Sequence, residues 1–232
     1  MQIKKDKLQE AAYDLRFLLN RGYRKKGALQ FVANKYVLNK NERNYLARSI
    51  FSNLKSWEQR EKIVDIPKIK DQFLLVDGYN VLITVESLYR EEYDSIILCD
   101  DSVVRDLNAV FGKYRLSSVT ERAINTILAL ISSYGPLYIC FFFDSPVSFS
   151  GRLADLTKKI MEEHNLRGNV CLSKTVDAEI VRLSNLKNGI VATSDSVIID
   201  KVGRVVDIPL CILKLNRNLS KVDMQKFISW YK

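Results

Sequence analysis

The chain has 232 residues, 47% of them hydrophobic, enough for a sizeable core in one or two domains. Its formal charge of +9 lies at one end: residues 1–72 carry 17 Lys+Arg against 8 Asp+Glu, and residues 73–232 carry 19 of each. No segment is apolar for long enough to span a bilayer, and no apolar run follows the charged start Met1–Lys7, so neither a membrane protein nor a signal peptide is expected and a cytoplasmic location is.

Residues 1–60 read as a basic helical domain. Leu8, Ala11, Ala12, Leu15, Leu18 and Leu19 recur at helical spacing over 4–20, with Gly22 as breaker. A second helix fits 28–37 and a third 42–57, in the outline of a helix-turn-helix. From Arg21 to Arg48 there are eight basic residues and one acid, Glu42. Arg21, Arg24, Lys25 and Lys26 are the candidate contacts to a polyanion, expected to touch phosphate rather than to read bases. A solvated, lysine-rich helix surface is the competing reading. Tyr13, Tyr23 and Tyr36 are expected to pack at the core or its boundary rather than to stack on bases. Residues 61–72, highly charged and with Pro67, read as a linker.

Residues 73–232 read as an α/β domain with a parallel, doubly wound sheet. Four apolar runs lead to aspartates: Phe73–Val76 to Asp77, Ile139–Phe143 to Asp144, Val170–Leu172 to Asp177, and Ile190–Ala192 through Thr193-Ser194 to Asp195. Runs this short and this apolar suit strands buried on both faces. Helices fit 120–134, 152–165 and 177–186. A fifth strand fits 205–215, bent at Pro209. The stretch 86–118 has no evident structure and is long enough for a lid or a substrate-binding insertion; Arg105 and Lys113 within it, and Lys174 before Asp177, are candidate substrate contacts. The four cysteines are far apart with no Cys-x-x-Cys pair, so reduced thiols are expected, and His164 reads as a surface residue.

Ligands of open α/β sheets gather beyond the carboxyl ends of the strands. Four aspartates there repel one another, and a hard divalent cation relieves that conflict. Asp77, Asp144, Asp177 and Asp195 are therefore the candidate catalytic acids, and Mg²⁺ or Mn²⁺ held by Asp77, Asp144 and Asp195, with Asp200 as a further ligand, is the candidate cofactor. The duller alternatives are a hairpin at Asp77-Gly78, a helix N-cap for Asp177, turn roles for Asn80 and for Thr193-Ser194, and a structural role for Asp200. Asn80 otherwise binds ligand, and the two hydroxyls otherwise orient Asp195.

Val76-Asp77-Gly78-Tyr79-Asn80, Phe143-Asp144, Lys174-Thr175-Val176-Asp177 and Thr193-Ser194-Asp195 occur in the order found in the NYN branch of PIN-like nuclease domains, which residues 73–215 resemble. The whole chain also resembles a family of unknown function that joins a basic helical head to such a domain, through Arg21-Gly22-Tyr23 and Lys26-Gly27-Ala28-Leu29. The resemblance implies a three-layer α/β/α fold and Mg²⁺- or Mn²⁺-dependent RNA cleavage, with Asp77, Asp144, Asp177 and Asp195 as the acidic quartet. Val197 departs from it, standing where NYN domains often carry a second acid. RNA, single-stranded or structured, is the expected partner, and the oligomeric state stays open, with a homo-oligomer among the alternatives. An RNA-binding adaptor with a degenerate site is the second reading. A haloacid-dehalogenase-type phosphatase ranks low, because Tyr79 occupies the place of its second aspartate.

Overall fold

The computed structural model describes residues 5–107 and 114–216. The first sixty residues form four helices: α1 (Lys5–Asn20), α2 (Lys25–Lys35), α3 (Lys40–Ser49) and α4 (Asn53–Arg60). The helix expected over 42–57 is two. Asn39 caps α3 in a capping box with Glu42, and Ser52 caps α4 through the Lys55 N–H. Between them Phe51 leaves helical geometry and donates its N–H to the Asp100 carboxylate at 3.1 Å.

The body is a five-stranded parallel sheet. Its strands are β1 (Phe73–Asp77), β4 (Tyr138–Asp144), β5 (Gly168–Ser173), β6 (Ile190–Ala192) and β7 (Val205–Val206), in the order β5-β4-β1-β6-β7. Helices α5 (Gly78–Tyr89), α6 (Ser118–Tyr134), α7 (Ser150–Glu163) and α10 (Ile208–Leu215) cover one face, over Leu74, Val76, Phe141 and Phe143. Helices α8 (Val176–Lys187) and α9 (Ser196–Lys201) cover the other, over Leu75, Cys140, Phe142 and Val191. Both faces are roofed, so β1 and β4 are apolar along their length rather than alternating. The strand expected over 205–215 is only two residues of β7; Pro209 then sits in the first turn of α10, where its missing N–H costs nothing.

The stretch 86–118 is partly regular, and its residues 108–113 lie outside the described residues. After α5 a 3-10 turn leads into an antiparallel ribbon, β2 (Ile96–Leu98) and β3 (Val104–Asp106). Ile97 and Cys99 are buried in the same core as Leu15, Val32, Leu46 and Phe51 of the head. Asp100 at the ribbon's turn takes two hydrogen bonds from Arg16, at 2.7 and 3.2 Å. The expected linker is also ordered: Val64 donates to the Val205 carbonyl and Val205 to that of Lys62, laying residues 62–64 along β7, while Ile66 and Ile69 are buried. None of the four cysteines is in a disulfide, though Cys140 and Cys171 lie 3.4 Å apart sulfur to sulfur, and His164 hydrogen-bonds with Asn125. Among the described residues no helix is long and apolar enough to cross a membrane.

Candidate functional site

β1 is the sheet's central strand, and the chain winds to β4 and β5 on one side of it before crossing to β6 and β7 on the other. The carboxyl end of β1 is thus the switch point, where open α/β sheets form their crevice. Asp77 ends β1 and Gly78 opens α5 with no loop between, which disposes of the hairpin reading. A Cβ on Gly78 would lie 2.3 Å from Phe143 Cε1 and 2.7 Å from the Phe142 carbonyl oxygen, so only glycine lets this helix start so close to β4. Residues alternate along a strand. Asp77 is two past Leu75 and Asp144 two past Phe142, so both acids fall on the α8–α9 side of the sheet. Asp177 lies in the first turn of α8, where Thr175 rather than Asp177 is the cap residue, and Asp195 caps α9.

Asp77 is 7% exposed, and it stands at the cap position of α5 without capping it. Its Oδ2 accepts a 2.8 Å hydrogen bond from Thr193 Oγ1. Burial pushes its carboxyl up to about 7; the Thr193 hydrogen bond opposes this, and the charges of Asp195, Asp177 and Asp144 add to it. Burial followed by the charge of Asp177 raises Asp144, and burial followed by the charge of Asp195 raises Asp177, against Lys201. The four acids thus share one electrostatic neighbourhood. Tyr79 belongs to it too: burial, then the charge of Asp144, pushes its phenol up to about 12.

The all-oxygen donor set suits a hard cation, and mutual repulsion is what such an ion would relieve. Among the described residues, however, no three acids lie close enough together to hold one. Asp195 Oδ1 is engaged by the Val197 N–H at 2.6 Å. Asp144 and Asp177 accept no hydrogen bond from another described side chain, so they can turn toward a ligand while Asp77 stays fixed.

Thr193 and Ser194 do not act as expected. Thr193 Oγ1 orients Asp77, while accepting the Asp195 N–H at 3.1 Å. The Ser194 N–H and Oγ both donate to Asn80 Oδ1 at 2.7 Å. This fixes Asn80, whose amide protons donate to none of the described residues. Arg105 is not a substrate contact. It is buried at 5% exposure, donates to Asp101 at 2.7 and 2.5 Å and, through Nε, to the Ser194 carbonyl at 2.7 Å, so it braces the loop carrying Asp195. An arginine four residues after an acid in an apolar stretch was the available signal.

Asp200 lies apart from the quartet. Lys55 Nζ donates to it at 2.7 Å and Gln59 Nε2 at 2.6 Å, so its oxygens tie α9 to α4 rather than facing a cation. Lys174 is exposed on the loop after β5, and Lys113 lies outside the described residues. Arg21, Arg24 and Lys26 are exposed on the head. Lys25 turns inward, its Nζ 3.9 Å from the centre of the Phe51 ring. Burial, then the charges of Arg105 and Lys55, lowers its amine to about 8. Tyr13 and Tyr23 are exposed, contrary to expectation, and Tyr36 is half-buried, donating to Asp14 at 2.9 Å.

Residues 66–211 match the family model described as "Domain of unknown function (DUF5616)", and residues 7–62 the model described as "Protein of unknown function (DUF434)". A protein of Methanocaldococcus jannaschii described as uncharacterized is 36% identical over 204 residues, covering 87% of this chain and 94% of its own length. No solved structure matches. The boundary between the two models falls where the helical head gives way to the α/β body, and the chain belongs to the family described as a domain of unknown function, DUF5616, joined to a DUF434 head.

Proposed function

We propose that this protein is a metal-dependent ribonuclease of the NYN/PIN-like kind, cutting RNA phosphodiester bonds at the strand-end aspartates. The observation that carries the reading is Asp77: a carboxyl buried at the switch point of a parallel sheet, with its acidity suppressed by burial and by three further strand-end aspartates. Carboxyls perturbed by burial together with neighbouring charges cluster at functional sites. Asp77, Asp144 and Asp195, which as they stand do not lie close enough to hold an ion together, would have to draw in around Mg²⁺ or Mn²⁺, Asp144 by turning its unengaged carboxylate, with Asp177 at the margin. When bound, the ion supplies Lewis acidity toward a phosphodiester.

The chain's own residues do the rest. Thr193 holds Asp77 in one orientation. Ser194 holds Asn80, leaving its amide to donate to a phosphate oxygen. Arg21, Arg24 and Lys26, with Tyr13, Phe17 and Tyr23 exposed among them, give the head a basic and aromatic surface for RNA. The test is cleavage of single-stranded and structured RNA with Mn²⁺, Mg²⁺ or chelator. Cleavage should need metal and fall at least 100-fold in Asp77→Asn. If wild type cuts no RNA with either metal, the second reading, an RNA-binding adaptor with a degenerate site, replaces the first.

A further inference from the structure

Just beyond Asp144, at the carboxyl end of β4, lies an open groove of about 590 Å³ lined by Tyr114, Arg115, Leu116, Ser148, Phe149 and Arg152. Its size falls within the roughly 300–1,000 Å³ of small-ligand sites. Phe149 sets its character. The residue has φ +63°, in the left-handed region that a bulky side chain rarely adopts, and its ring is 50% exposed. The strain is not repaid by burial. It is imposed by the loop: Val147 donates to the Asp144 carbonyl, Ser150 N–H to that of Val147, and Ser150 Oγ to that of Ser145. Backbone strain of this kind concentrates at active sites and ligand clamps.

The surrounding chemistry indicates the ligand. The Arg152 guanidinium lies 5.5 Å from the centre of the Phe149 ring, and Arg115, also exposed, lines the same groove. No carboxylate among the described residues forms an ion pair with either arginine. The Tyr79 hydroxyl is buried with no hydrogen-bond partner among the described residues, and its ring packs edge-on against Tyr114, a groove residue, at 5.2 Å. A half-exposed ring and two arginines without a carboxylate partner among the described residues match a nucleobase carrying a phosphate. We propose that this groove is a nucleotide subsite, in which the base stacks on Phe149 and the adjoining phosphate is held by Arg115 and Arg152. The proposal rests on the reading of the aspartates as a nuclease centre and adds to it how the strand is gripped beside the cut.

The test uses the full chain in chelator, titrated by NMR with adenosine 5′-monophosphate and with ribose 5-phosphate. Stacking on one aromatic ring should make the nucleotide bind about tenfold tighter than the sugar phosphate. Phe149→Gly should abolish that preference and raise Tm, because glycine adopts positive φ without strain. Phe149→Trp should keep the preference. Equal binding of the two ligands by wild type, or a preference that survives Phe149→Gly, overturns the subsite. Cleavage of RNA, measured separately with Mn²⁺ and lost in Asp144→Asn, divides the two claims. A nucleotide preference without cleavage leaves the subsite and removes the nuclease; cleavage without the preference does the reverse.

Discussion

Asp77 concentrates the conflict that the rest of the site is built around. Its folded-state carboxyl titrates near 7, above the roughly 4 of an unfolded aspartate. Folding therefore takes up a proton between these values, and the stabilisation is fully present below about pH 4 and is lost as pH rises through 7. Asp207 acts with the same sign: buried at the start of α10, it is raised to about 6. The informative quantity is accordingly the difference between wild type and Asp77→Asn. In chelator, wild-type Tm should fall more steeply than the variant's between pH 5 and 8, and the variant should melt higher at pH 8. Mn²⁺ should raise wild-type Tm at pH 8, by mass action, and leave the variant unmoved. Parallel pH curves from differential scanning calorimetry would show that Asp77 carries no such load. Asp77, Asp144 and Asp195 were legible because each closes or directly follows an apolar run, whereas Asp177 lies in the first turn of α8. Asp200 also follows an apolar pair, but α9 turns it outward to Lys55 and Gln59, which spacing alone does not reveal.

The ribbon β2–β3 shows how one small element serves two neighbours. Asp100 reaches the head, and beside it Asp101 pairs with Arg105, which holds the Ser194 carbonyl. The Asp101 and Arg105 side chains are 0% and 6% exposed. Removing one partner of such a pair leaves a buried charge uncompensated, at a cost of about 3–5 kcal/mol. Asp101→Asn should destabilise by that order in urea titrations. The double change Asp101→Leu/Arg105→Met should cost less than Arg105→Met alone, and strict additivity would contradict the pairing. The longer amphipathic helices were readable from their period, α6 and α8 to within a few residues. The third helix was not, because Ile50 and Phe51 look helical until a distant Asp100 engages the Phe51 N–H. The run 205–215 was misread because an apolar stretch of that length fits a buried strand or a buried helix equally well.

At the scale of the molecule, head and body share a core through Ile97 and Cys99, and α4 is tied to α9 through Asp200. Thermal unfolding should therefore be one cooperative transition, seen equally by Trp57 fluorescence in a Trp230→Phe variant, which reports on the head, and by far-ultraviolet circular dichroism of the whole; two separated transitions would mean that the halves fold independently. The charge partition was legible from composition, and so was the all-α then α/β order, but the interlock was not, since its residues lie up to about 145 positions apart in the chain. RNA affinity, if the head supplies it, should fall with salt by a slope of about −0.7 per phosphate contact on single strands. Arg21→Glu with Lys26→Glu should flatten that slope without moving Tm, because both side chains face water.

That interlock also governs how the head's role can be learned. Cutting the chain after residue 72 would bare Ile97 and Cys99, strand Asp100 without Arg16, and release Asp200 from Lys55 and Gln59. Such a fragment would aggregate, whatever the head does. Because the two halves share a buried core, charge reversal on the intact chain is the route by which binding and folding can be told apart.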